Sequence, residues 1–275
     1  RSTRVRSSAA SDVYKRQVCE GDFLPFVHLR IPGVLQRIAL CYCVISFTAL
    51  FMNHKFIPAL TFILLVSYTV ILCMGNGYAC DESNILSIID RQLFGEAHLY
   101  QKSPIDPEGF VSTLSAIAHT CIGFSYGKWI IQSHQTENKV LRLFLTGFIL
   151  ISIGYLLADA LPLNKRIWSP TFVLVTCGAA SMSLATLMYY IDIRNKQKWC
   201  RFFIIFGVNP LFLYVLSEVL AIMMGSTGWK AAAYAAIHSG ITDAYLASAV
   251  YALVFTLFLG GIGYPLYLKK IYIKL

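Results

Sequence analysis

Seven largely apolar runs, each long enough or nearly long enough to cross a bilayer, leave this chain few folds to choose from. They are Ile31–Met52, Phe56–Met74, Phe110–Ile131, Val140–Ala158, Thr171–Ile191, Phe202–Met224 and Ala244–Leu268. A helix needs about 20 residues to span ~30 Å of hydrocarbon. Phe56–Met74, Thr171–Ile191 and Ala244–Leu268 contain no charged residue, whereas each of the others carries an ionisable group. Only 13% of the residues are charged and 57% are hydrophobic, against about 25% charged in a soluble domain. The expected fold is all-α: a polytopic transmembrane helix bundle of about seven spans, in an integral membrane protein whose first partner is the lipid bilayer.

The formal charge of +9 points to no nucleic-acid partner once it is read by position. If the spans alternate, Lys55, Lys128, Lys139, Arg142, Arg194, Lys196, Lys198, Arg201, Lys269, Lys270 and Lys274 share one side, and the positive-inside rule makes that side cytoplasmic. The opposite side holds the long polar interval 76–109, with Asp81, Glu82, Asp90, Glu96, Asp106 and Glu108 against Arg91 and Lys102, and shorter connections around Lys165-Arg166 and Lys230. This loop is expected outside and the C-terminus in the cytoplasm. Residues 1–17 lack an initiator Met and a signal-peptide core; they read as a non-native, adapter-like tail. Residues 18–30 read as an outer-side lead-in, and the bundle as 31–275.

Eight cysteines form no CxxC and no cluster with zinc spacing, so no metal is expected. Cys73 and Cys80 flank the outer end of the second span and are read as small packed residues, with oxidation as the other reading. No phosphate-cradling loop or nucleophile elbow is present. The polar residues inside spans carry more information, because an ionisable group in hydrocarbon costs a few kcal/mol and faces a partner or a cavity. Arg37 and Glu218 sit at matching depth, as a charged site wall or as an ion pair between helices. Ser112, Ser115 and His119 share one helix face, turned toward protein. His119 is a candidate acid or base, or a buried histidine bonded to a carbonyl. Gly123-x-x-x-Gly127 on that helix has the close-packing pattern of membrane helices. Gly207-Val208-Asn209-Pro210 predicts a bend in the sixth span, at a ligand site or as a packing kink.

From about Leu29 to Leu275 the chain resembles the transmembrane N-acetyltransferases typified by heparan-α-glucosaminide N-acetyltransferase. The resemblance rests on Arg30-Ile31-Pro32-Gly33-Val34-Leu35-Gln36-Arg37, on Ile89-Asp90-Arg91 with Gly95 and His98-Leu99-Tyr100, and on Asp106-Pro107-Glu108-Gly109. Asn164-Lys165 with Trp168-Ser169, Asn209 with Tyr214 and Glu218, and Lys269-Lys270-Ile271 follow in order.

The resemblance implies transfer of acetyl from cytosolic acetyl-CoA, as co-substrate, to the amine of a terminal glucosamine-type sugar across the membrane, with a bacterial inner membrane as location and a homodimer as a possible assembly. It offers Arg37, His98, Asp106, Glu108, Asn164, Lys165, Asn209 and Glu218 as substrate or acetyl-CoA site candidates. The family's catalytic histidine lies in an N-terminal block that no stretch here matches, and His28 is not in that context. The chain as given is accordingly expected to be an N-terminally truncated, catalytically dead part of an active parent, with His119 the only weak candidate for a base. Two other readings stay open. A small-solute transporter would share the bent helix but should show an internal repeat, which is absent; a non-catalytic membrane scaffold would need no histidine.

Overall fold

The computed structural model describes residues 31–100, 103–133, 135–241 and 243–273, and these contain ten α-helices and no strand. The tail expected over 1–17, the lead-in with His28 and Arg30, and the basic Lys102 and Lys274 lie outside the described residues. The chain divides into two compact units, Arg1–Asn195 and Lys196–Leu275.

The first unit contains α1 (Val34–Phe51), α2 (Ile57–Met74), α3 (Ile85–Phe94), α4 (Thr113–Gln132), α5 (Thr136–Leu156) and α6 (Pro170–Met188), the last continued by a π-helical turn over Tyr189–Ile193. Their starts are written in side chains. Asn84 caps α3 by accepting from Leu86 N at 2.8 Å. Ser169 caps α6 by accepting from Phe172 N at 3.2 Å, with Pro170 at the first helical position where its missing N–H costs nothing.

Of the runs expected to span, α1, α2, α5 and α6 are long and apolar enough to do so. The third is present as the 20-residue α4 but falls short of that apolarity among the described helices. Its position explains why: α4 packs against α1, α2 and α6, burying Thr113, Ser115, Ala116, Ala118 and Cys121. A helix shielded by its neighbours can keep polar groups that lipid would reject.

The closest helix pair is α5 with α6, and small residues make it close. A Cβ on Gly147 would lie 2.8 Å from Gly178 O, one on Gly178 2.6 Å from Gly147 O, and one on Gly154 2.6 Å from Val175 Cγ2. Ser181 Oγ reaches across to Leu143 O at 2.7 Å. The Gly123-x-x-x-Gly127 pattern does not serve this purpose: a Cβ at either glycine meets nothing within 4 Å. A glycine pair permits close approach without requiring it, and here the approach occurs one helix later.

The polar interval 76–109 is not irregular throughout. It folds back as α3 and a 3₁₀ turn, Glu96–His98, over one end of the bundle. Leu86 and Ile105 from the interval are buried with Tyr68, Leu72, Val111 and Ile167. Buried Asn84 donates to Gly77 O (2.7 Å) and Ala79 O (2.8 Å), closing the turn that reverses the chain after α2. At the same end Ile31 N donates to His98 O (3.0 Å) and the Tyr68 hydroxyl donates to Ile167 O. The start of α1, the polar interval and the α5–α6 connection therefore meet at one end of this unit, as alternating spans require.

In the second unit, α7 (Cys200–Val208) and α8 (Pro210–Ser226) together form the expected sixth span, bent by 82°. They are followed by α9 (Trp229–Gly240), in a stretch read from sequence as a connection, and α10 (Ala244–Leu268). Pro210 starts α8 afresh after Asn209, whose backbone (φ −135°, ψ 60°) is not helical. With α10, five of the described helices are long and apolar enough to span, or six if the bent pair is one span, against the seven expected. The shortfall is α4.

A buried polar cluster at the loop end of the first unit

The loop end of the first unit is held by charged and polar groups that have left water. Arg37, 7% exposed, donates from Nη1 to Pro107 O (2.9 Å), and from Nη2 to Gly109 O (3.0 Å) and the Ser112 hydroxyl. One guanidinium thus ties the first span to the loop and to the entry of α4. Asp106, 3% exposed, accepts from Tyr100 N and from Glu108 N, both at 2.9 Å, and so shapes the turn that presents those carbonyls.

Asp90 lies beside them on α3, 1% exposed, with Oδ1 accepting from Phe110 N at 2.8 Å and Oδ2 without a hydrogen-bond partner. Burial pushes its carboxyl up to about 6; Asp106 adds to the rise, and the Phe110 N–H and the Arg37 charge oppose it. A Cβ at position 109 would fall 1.9 Å from Asp90 Oδ2, so any residue other than glycine there would have to displace that carboxylate.

Trp168 joins this cluster from the α5–α6 connection. Asn164 and Ser169 pin that connection reciprocally: Asn164 N donates to Ser169 Oγ and Ser169 N to Asn164 O, each at 3.0 Å, while Asn164 Oδ1 accepts from Arg166 N at 2.9 Å. Between them Trp168 adopts φ +54°, a left-handed conformation costing about 1–3 kcal/mol in a bulky residue. Its ring has two polar neighbours. The Arg37 guanidinium carbon lies 5.3 Å from the ring centroid, a cation–π contact, and the His119 ring centroid lies 6.0 Å away.

Each member of this stack carries a buried polar atom without a hydrogen-bond partner among the described residues, Arg37 Nε, His119 Nδ1 and Trp168 Nε1, and so does Ser115 at its Oγ. Ser115 is one helical turn from His119, so the two share a face of α4, as the i, i+3, i+7 spacing predicts. An unmet buried polar atom costs roughly 1–3 kcal/mol, and natural structures contain few. Two N–H donors and an imidazole nitrogen thus belong to the Arg37–Trp168–His119 contact, with the Ser115 hydroxyl one turn from His119 on α4. This set can hold a polar ligand, donate to a developing oxyanion and accept a proton.

The sequence-predicted site residues divide into groups. Arg37 and His119 lie against the Trp168 ring, Asp106 and Glu108 shape the loop that Arg37 binds, and half-buried His98 supplies the carbonyl bonded by Ile31 N. Asn164 builds the turn that positions Trp168, and Lys165 is exposed beside it. Asn209 and Glu218 belong to the second unit. There Asn209, 3% exposed, donates to Ile271 O and accepts from Ile273 N, both at 2.8 Å, so its amide pins the chain after α10 to the helix break. Glu218 is half-buried on α8. Trp168 is the residue that sequence reasoning passed over: it stood only as part of a motif, and its signal was the Asn164 and Ser169 pair bracketing a turn.

No protein-family model matches the chain. The chain is 26% identical to heparan-alpha-glucosaminide N-acetyltransferase of Mus musculus, the alignment covering 90% of this chain and 45% of that protein. It is 25% identical to heparan-alpha-glucosaminide N-acetyltransferase of Homo sapiens, over 90% of this chain and 44% of that protein. The chain therefore spans a little under half the length of the curated relatives it matches.

Proposed function

We propose that this chain, which is distantly related to the heparan-alpha-glucosaminide N-acetyltransferases, forms part of a membrane-embedded acetyltransferase. In this reading acetyl-CoA is taken from the cytosol and the acceptor is the amine of a glucosamine-type sugar on the loop side. The amine nitrogen attacks the thioester carbonyl, an oxyanion forms and collapses, an amide results, and CoA leaves as the thiol with a proton balancing the one lost from nitrogen. The observation that carries this reading is the set of unmet buried polar atoms on Arg37, Ser115, His119 and Trp168. Arg37 and Trp168 offer N–H donors to the oxyanion, and His119 Nδ1 and Ser115 Oγ offer acceptors to the amine. The surplus of basic residues at the end of the first unit away from the loop supports an orientation with that end in the cytosol, where a polyanionic CoA would be met. A bacterial inner membrane is part of the same proposal.

The transporter reading has less support, since the side chain at the helix break, Asn209, is used to hold the chain's own backbone. The test is to express the chain joined to the N-terminal portion of one of its relatives, and alone, and to follow CoA thiol release with acetyl-CoA and glucosamine. We expect glucosamine-dependent release from the joined protein and no sustained release from the chain alone. Trp168→Phe keeps the ring and removes the indole N–H, and should slow the joined protein roughly a hundredfold. A folded joined protein with no glucosamine-dependent release would refute the proposal, and an unchanged rate in Trp168→Phe would remove the Trp168 cluster from it.

A further inference from the structure

Beside the α4 entry lies an apolar groove of about 770 Å³. Its walls come from α1 (Leu40, Val44), the loop end of α2 (Val70), α3 (Ile85) and α4 (Leu114, Ile117), and Thr113 is the one polar side chain among its lining residues. Leu40, Val44 and Val70 are themselves exposed on helices that are apolar enough to span a membrane, so the open side of the groove is continuous with a hydrocarbon-facing surface. Water is excluded there, and what meets such a surface is lipid.

The other end is closed by α3, whose polar neighbours set the depth. Ile85 and Ile89 point an apolar side at the groove, while Arg91 bridges Glu82 at 3.0 Å and Glu96 at 3.5 Å on the exposed side. An amphipathic helix with this division lies at the boundary between headgroups and acyl chains. The groove beneath it is therefore at acyl depth in the leaflet on the loop side.

We propose that this groove is a binding site for one acyl chain of a membrane lipid from that leaflet, inserted under α3 between α1, α2 and α4. The bound chain packs the underside of the helix that carries Asp90, and so supports the loop from the membrane. The inference does not depend on acetyl transfer.

The test uses the full chain in vesicles of phosphatidylethanolamine and phosphatidylglycerol containing a phosphatidylethanolamine with a photoactivatable group in its acyl chain, with adducts mapped by mass spectrometry. Leu114 and Ile117, recessed in the groove, should label at least as strongly as Phe148, which is 57% exposed on α5. The double variant Val44→Trp, Val70→Trp fills the groove from exposed positions and should cut adducts at Leu114 and Ile117 about tenfold, the loss expected for displacing a few buried methylenes. Phe148 adducts should not change, and Phe148→Trp serves as a control for added bulk on a lipid-facing surface. Absence of label at Leu114 and Ile117 in the unsubstituted protein, or label unaffected by filling, would overturn the proposal. Chain-to-chain adducts at these positions in place of lipid would overturn it in favour of a second copy of the chain.

Discussion

At the scale of single residues, Asp90 makes the account testable through pH. Its carboxyl titrates near 6 in the folded protein, raised from 3.8 mainly by burial. Between those values the folded state binds more protons than the unfolded one, so stability is greatest below about pH 4 with respect to this group and falls as pH rises through 6. By pH 7 the penalty is about 3 kcal/mol. Melting of the detergent-solubilised protein should therefore drop between pH 4.5 and 7 by more than that of Asp90→Asn, and parallel curves would show that Asp90 is not buried as described. Arg37 marks how far the sequence could be read at this scale. An arginine inside a span must have partners. Its observed acceptors include the carbonyls of Pro107 and Gly109, and backbone acceptors some 70 positions away leave no mark in side-chain types.

At the scale of helices, the apolar runs gave α1, α2, α5, α6 and α10 because lipid demands an apolar surface of fixed length. Two features escaped for physical reasons. The helix α3 was hidden in a stretch judged by its charges, although Asn84 followed by Ile85, Leu86, Ile88 and Ile89 is a capped amphipathic start. The Gly123-x-x-x-Gly127 pattern misled because it states only what is sterically allowed. Glycine substitutions separate the two cases. Gly178→Ala places a methyl 2.6 Å from the Gly147 carbonyl oxygen and should destabilise the protein by about 1–3 kcal/mol through overpacking. Gly123→Ala and Gly127→Ala meet open space and should be neutral or stabilising, by up to about 1 kcal/mol from helix propensity. Thermal melts of the three variants decide the matter, and a loss at Gly123 as large as at Gly178 would contradict the α5–α6 packing described.

At the scale of the whole molecule, the candidate site was half legible: Arg37, His119 and the serines of α4 announced themselves as polar groups in an apolar setting, whereas Trp168 belongs to a connection and depends on a turn for its place. Orientation can be tested with single cysteines replacing Glu96 and Glu137 in a background without the exposed native cysteines. An impermeant thiol reagent should label position 96 in intact cells and position 137 only after lysis; the reverse pattern would invert the topology. The most direct measurement of the central claim is sided acetyl transfer by the joined protein in sealed vesicles, oriented by that labelling, with radiolabelled acetyl-CoA on the face bearing position 137 and glucosamine on the face bearing position 96. The account predicts labelled N-acetylglucosamine on the glucosamine side and free CoA thiol on the other, both depressed together in Trp168→Phe. Product that forms only when donor and acceptor share one side, or at the same rate in Trp168→Phe, would contradict it.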